Sequence, residues 1–223
     1  PPARRAVRGG GSGRLLTPQR TTGEGLGVKT RWFDRQVSSE APVFHMIFNN
    51  VVVSSLGPDG NPELTNAGET RFQGAEVEVG YHPAALPDFS LLAGYAHHDA
   101  RYVRFSFIDP DNGLTVADGQ RLELTPRDLW NSTLSYHPAD GIGAWFAIRH
   151  QNHRPFDKIN EAYMPAFFEY DAGVSYQFGF ARTSIFGRNL GNSRHFVAES
   201  EIGDAQLYVA PPRRFLGELS FRF

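Results

Sequence analysis

Apolar and polar residues alternate with a period of two along most of the chain. The clearest run is residues 168–178, where Phe168, Tyr170, Ala172, Val174, Tyr176 and Phe178 share one face and Glu169, Asp171, Gly173, Ser175 and Gln177 share the other. A period of two is the mark of a strand that is apolar on one side. The closing residues repeat it, with Phe215, Gly217, Leu219, Phe221 and Phe223 opposed by Leu216, Glu218, Ser220 and Arg222. Shorter instances set Leu26, Val28, Thr30 and Trp32 against Lys29 and Arg31, and Ala75, Val77, Val79 and Tyr81 against Glu76, Glu78 and Gly80. Ala144, Phe146 and Ile148 alternate with Ala147, Arg149 and Gln151, and Trp145 breaks the pattern. The pattern predicts nine strands, near 25–33, 37–53, 69–82, 88–102, 120–137, 142–154, 166–178, 181–190 and 211–223.

The connections alternate in length. Short ones fall at Asp34-Arg35, 82–87, 137–141 and Gly179-Phe180; long polar ones fall at 54–68, 103–119, 155–165 and 191–210. Short turns at one end and long loops at the other characterise outer-membrane barrels, whereas a soluble sandwich has no reason to sort its loops this way. Several strands exceed the usual ~5–6 residues of globular proteins and approach the ~9–11 of a tilted membrane strand. Aromatics crowd the strand ends (Trp32, Phe33, Tyr81, Trp130, Tyr136, Phe178, Phe223), where interfacial girdles would lie. The predicted fold class is all-β: an antiparallel meander of long strands forming part of a transmembrane β-barrel. Phe168, Tyr170, Val174, Tyr176, Phe178, Phe215, Leu219 and Phe221 should face lipid. Glu169, Asp171, Ser175, Gln177, Glu218, Ser220 and Arg222 should face the lumen.

Composition agrees. The 223 residues include 18 Phe, 8 Tyr and 3 Trp, yet the mean hydropathy is -0.38. Many aromatics with a low mean suit strands that are apolar on one face only. No apolar run is long enough for a membrane helix, which does not exclude a membrane protein, because barrel strands give a much weaker signal per segment. There is no cysteine, so thiol catalysis, disulfides and cysteine-based zinc sites are excluded. A net charge of -2 gives no global basic field for nucleic acid. Residues 1–23 are rich in Arg, Gly and Pro, including Gly9-Gly10-Gly11-Ser12-Gly13. They are expected to be irregular, truncated or non-native, with the barrel strands occupying 24–223. No export signal precedes them, so the native start is expected upstream.

Six motifs in order resemble the C-terminal barrel of the TonB-dependent receptor family. They are Gly27-Val28-Lys29-Thr30-Arg31-Trp32-Phe33-Asp34-Arg35; the glycine–acid step Gly68-Glu69 with Arg71-Phe72-Gln73-Gly74-Ala75-Glu76-Val77-Glu78; Pro126 before Leu129-Trp130-Asn131; Met164-Pro165 leading to Tyr170-Asp171; Ile185-Phe186-Gly187-Arg188-Asn189-Leu190; and Pro211-Pro212 before the closing strand. Gly191-Asn192-Ser193-Arg194 departs from the family's usual continuation after the Asn-Leu pair. The resemblance covers residues 24–223 and includes neither plug domain nor TonB box, implying an open, partial barrel. It further implies a receptor in the Gram-negative outer membrane, TonB-energised through a plug. Its cargo would be a small metal chelate such as a ferric siderophore, and its surroundings membrane lipid and lipopolysaccharide.

No catalytic, cofactor-binding or metal-binding residue is expected, and ligand specificity is expected to reside in the loops. The adjacent His97 and His98 must point to opposite faces of a strand, as must His150 and His153, so neither pair can chelate one ion. The charges Glu76, Glu78, Arg149, Glu169, Asp171, Arg182, Arg188, Glu218 and Arg222 read as lumen lining that pairs across strands or faces a plug. Asn131-Ser132-Thr133 and Gly23-Glu24-Gly25-Leu26-Gly27 are chance matches to glycosylation and nucleotide motifs, the latter because no helix follows. The alternative is a small self-contained outer-membrane barrel, enzymatic or adhesin-like, which would need its first and last strands to pair.

Overall fold

A computed structural model describes residues 16–56, 61–109, 113–199 and 207–222. The Gly9–Gly13 run and the terminal Phe223 lie outside the described residues. Every regular element among the described residues is a strand. In chain order they are β1 (Arg20–Trp32), β2 (Val37–Leu56), β3 (Pro62–Tyr81), β4 (Phe89–Arg104), β5 (Ser106–Asp109), β6 (Gly113–Val116), β7 (Asp128–Tyr136) and β8 (Gly141–Gln151). There follow β9 (Arg154–Pro155), β10 (Tyr163–Met164), β11 (Phe167–Phe178), β12 (Ala181–Arg188), β13 (Phe196–Glu199), β14 (Leu207–Val209) and β15 (Arg214–Phe221).

Nine of these make one antiparallel sheet in the order β1-β2-β3-β4-β7-β8-β11-β12-β15. The other six are three small hairpins, β5–β6, β9–β10 and β13–β14, within the long connections. Each strand of this sheet pairs with the next strand of the same sheet along the chain, as a meander requires. No ladder joins β1 to β15 among the described residues, so the sheet is open.

Three regions depart most from the sequence reading. β1 begins at Arg20, so part of the segment 1–23 expected to be irregular is strand, paired Arg20↔Asn49 through Gly23↔Met46. The expected loop 54–68 is largely hairpin, since β2 and β3 stay in register to Leu56↔Pro62. In both places backbone hydrogen bonds continue after the apolar alternation stops, and a period-two pattern cannot report a ladder with no apolar face. Conversely, residues 120–127 were expected to be strand but are not. Leu124 has φ 58° there and Pro126 cannot donate a ladder bond. The turn Phe33-Asp34-Arg35 is left-handed throughout, with φ of 53°, 52° and 71°, and closes with Gln36 N donating to Phe33 O at 3.0 Å.

Register assigns every sheet residue to a face. Trp32, Val37, Tyr81, Leu91, Leu134, Phe146 and Ala172 form one row across seven strands on the same side. Val174, Ile185 and Gly217 continue that face to the last strand. It is bare: Leu26, Val174, Ile185, Phe215 and Leu219 are each more than half exposed. A soluble sandwich would bury such a face, and an uncovered one this broad belongs against lipid. The aromatics sort to its two ends. Trp32, Tyr81, Phe89, Tyr136 and Phe178 line the short-turn end, and Tyr95, Trp130 and Phe168 lie toward the long loops. The opposite face carries Glu169, Asp171, Ser175 and Gln177, as the alternation required. A small core of Tyr102, Phe105 and Ala117, with Phe107 and Leu122 against it, organises the loop between β4 and β7.

Candidate functional site

On the polar face, the half near the short turns is lined by Lys29, Glu40, Glu76, Glu78, Asn131 and their neighbours. Glu40 and Glu78 stand directly opposite each other, a like-charge pair that is unfavourable by itself. Lys29 Nζ relieves it at 3.0 Å from Glu40 Oε1. Glu76 Oε1 lies 3.1 Å from His98 Nε2. Phe44, Phe72 and His98 pack as an aromatic trio, with centroids 5.1–5.7 Å apart.

Toward the long loops the same face closes around Asp171, which is 5% exposed. Its carboxylate accepts from Arg188 Nη1 at 2.8 Å and from the backbone N of Asn189 at 2.8 Å. Arg149 pairs with Glu169. Arg188 lies over the rings of Trp145 and Phe186, 5.2 and 5.4 Å from their centroids. The residue that broke the alternation is thereby explained: Trp145 points inward and fills space over Gly173. A Cβ at Gly173 would meet Trp145 Nε1 at 2.5 Å and Phe186 Cβ at 2.9 Å. Gly173→Ala is therefore expected to lower stability by about 1–3 kcal/mol through overpacking. Urea unfolding in detergent micelles followed by tryptophan emission measures it, and an unchanged midpoint would contradict this packing.

Asn189 is the hub of the loop that follows. It is left-handed (φ 50°) and 4% exposed. Its Nδ2 donates to Ser193 O at 2.8 Å and Pro211 O at 2.9 Å, while Oδ1 accepts from Ser193 N at 2.8 Å. His195 stacks on Phe167 with centroids 3.5 Å apart, and burial pushes its pKa below the ordinary histidine value. Arg154, 3% exposed, donates to Phe196 O at 2.6 Å and ties the β9–β10 hairpin to the β13–β14 hairpin.

The histidines singled out by sequence are separated. His97 faces outward, with Nδ1 2.8 Å from Asp128 Oδ1, and His98 faces inward to Glu76. His150 Nδ1 lies 2.9 Å from Phe167 O, and His153 packs on Tyr163. Arg182 donates to Ser175 Oγ at 3.0 Å. Glu218 stands opposite Ser184 on the polar face.

On the outward face, the long-loop end carries polar groups that sequence reasoning missed. Tyr95 Oη and Asn152 Nδ2 donate to Asp128 at 2.7 and 3.1 Å. Asp99 accepts from Arg71 Nη2 at 3.0 Å and Arg101 Nε at 2.7 Å. The register between β3, β4 and β7 is what places these residues on one face and brings them together.

A sheet with a bare apolar face, aromatic ends, an ion-paired inner face and loops sorted by length is the wall of an outer-membrane-type barrel. The family model for the TonB dependent receptor-like β-barrel matches residues 5–190, and the chain belongs to that family, one of receptors and transporters rather than enzymes. Similar solved structures include the ferric-catecholate import receptor Fiu from E. coli K12, at 19% identity and TM-score 0.72 over 99% of this chain and 30% of that one. The siderophore receptor PiuA from Acinetobacter baumannii matches at 17% identity and TM-score 0.74, over 90% of this chain and 28% of that one. The ferric yersiniabactin uptake receptor FyuA from Yersinia pestis matches at 17% identity and TM-score 0.72, over 92% and 30%. The chain thus spans about 30% of the length of these proteins.

Proposed function

We propose that residues 24–223, with β1 extending back to Arg20, are the C-terminal barrel strands of an outer-membrane receptor for TonB-energised uptake of a scarce nutrient. The cargo we propose is a ferric siderophore or another iron chelate. The observation that carries this reading is the open nine-stranded meander with one bare apolar face, in a chain of the TonB-dependent receptor family. Solved proteins of similar fold are named as ferric-catecholate, siderophore and ferric yersiniabactin receptors, which favours iron chelates over other cargoes. The open edges favour part of a large barrel over a small closed one. Unpaired edge groups cannot be hydrated in lipid, and nine strands do not complete the ~22-stranded circle of a plugged transporter. The inner face would then meet a plug domain, which TonB pulls from the periplasm.

The test is uptake by cells carrying the complete gene on an iron-starved background. Iron-55 accumulation from a panel of ferric siderophores is expected for at least one chelate, and should vanish on deletion of the gene or of tonB. Uptake of every chelate unchanged by the deletion would overturn the iron reading. Recovery of the product in the soluble fraction would overturn the barrel reading.

A further inference from the structure

Three arginines stand in register on the outward face at the long-loop end. Arg71 of β3 is opposite Arg101 of β4, and Arg101 is bridged to Arg121 in the segment leading to β7. Like charges placed directly opposite one another repel. Among the described residues one carboxylate reaches the row: Asp99, bound to Arg71 and Arg101. The neighbouring acids are held elsewhere. Glu69 pairs with Arg104 at 2.8 Å, Glu123 with Lys158 at 3.2 Å, and Asp118 accepts the backbone N of Phe105 at 2.7 Å. Arg121 donates to Thr125 O at 3.2 Å and has no acidic partner within ion-pair distance among the described residues. Burial, and then the charges of Arg127 and Arg101, push its guanidinium below its ordinary value. Arg71 Nε is buried without a hydrogen-bond partner. In a chain of net charge -2, this is a local surplus of cation with donors to spare.

Its position is defined by the lipid-facing band. On β3 the outward residues Tyr81, Val79, Val77 and Ala75 give way to Gln73 and then Arg71. Arg71 therefore lies about 13 Å along the strand beyond Ala75, at ~3.3 Å per residue. With the ~45° tilt of membrane strands, that is roughly 9 Å of height, the depth of the headgroup layer on the loop side. A row of planar, multiply donating cations at this depth matches phosphate oxygens in geometry and charge.

We propose that Arg71, Arg101 and Arg121 form a binding site for the phosphate groups of an outer-leaflet lipid headgroup, with Asp99 spacing Arg71 and Arg101. The proposal rests on the membrane-barrel reading above. Phosphate oxygens accept charge-assisted hydrogen bonds from guanidinium nitrogens that Asp99 does not occupy, and the repulsion within the row is relieved. The site anchors the wall at one depth and ties β3 and β4 to the irregular strand lead-in at Arg121.

The test uses the complete receptor purified from outer membranes, delipidated in detergent and titrated with bis-phosphorylated lipid A by native mass spectrometry. Affinity is expected to fall about tenfold or more in the triple variant R71Q/R101Q/R121Q, with no change in K29Q on the inner face. The intact protein should show the same loss toward lipid A stripped of its phosphates, a comparison that holds whether or not the triple variant folds. Millimolar inorganic phosphate should not displace the lipid, and displacement would reassign the row to a free anion and overturn the lipid site. Equal affinity for lipid A with and without phosphates would also overturn it. Failure of the protein to fractionate with the outer membrane would refute the barrel reading instead, before any titration.

Discussion

Asn189→Ala is expected to lower stability by about 3–5 kcal/mol and to release the loop between β12 and β15. Three hydrogen bonds from one buried side chain hold that loop to itself and to Pro211 at its far end. Removing them strands the Ser193 N–H and two carbonyls, each at about 1–3 kcal/mol when buried. Alanine also tolerates the left-handed backbone less well, adding roughly 1 kcal/mol. These contributions share one site and will not sum fully. Urea unfolding of the complete receptor in micelles measures the loss, and limited proteolysis locates it, with new cleavage expected in 189–213. Asn189→Gly separates the two causes: it should recover about 1 kcal/mol, because glycine accepts the backbone but not the bonds. If alanine cost less than about 1 kcal/mol, the loop would be held by something other than this side chain.

Val174→Arg is expected to cost about 2–4 kcal/mol in a bilayer. Val174 lies within β11, between Ala144 of β8 and Ile185 of β12 on the apolar face, and is 55% exposed there. In lipid a guanidinium there loses its hydration. Phe178, at the end of the same strand, is close enough to the headgroups for an arginine to reach water, so Phe178→Arg should cost only about 0–1 kcal/mol. Folding titrations into vesicles compare the two. Equal and small losses at both positions would mean that the apolar face meets protein or water instead of lipid.

Much of this fold was legible because strands crossing a bilayer are constrained residue by residue. An outward residue must be apolar and its neighbours need not be, so 168–178 declares both its conformation and its faces. The strand count and the alternation of turns and loops followed from the same pattern. Where the surroundings are aqueous on both sides, the pattern is silent. The far ends of β2 and β3 pair without any apolar alternation, and Arg20–Gly23 extends β1 in the same way. Residues 120–127 misled in the opposite sense, because Leu122 and Leu124 alternate with polar residues yet belong to a loop.

The candidate sites divide along the same line. Opposite orientation for His97 and His98 follows from two adjacent residues in one strand, and the structure places them so. Asn189 was recognisable as part of a family motif, but its work as a loop anchor depends on Ser193, Pro211 and a left-handed backbone. The sequence alone determined which residues lie on the apolar face, because that choice is local and repeats every second position. Tertiary structure alone decided which residues meet: Trp145 over Gly173, Asp171 under Arg188, and Arg71, Arg101 and Arg121 in one row. Those meetings depend on the register between strands and on loop residues far apart in the chain. A one-residue slip in register would exchange the faces, and the apolar pattern forbids that. A two-residue slip would keep the faces and exchange every partner, and only the folded sheet excludes it.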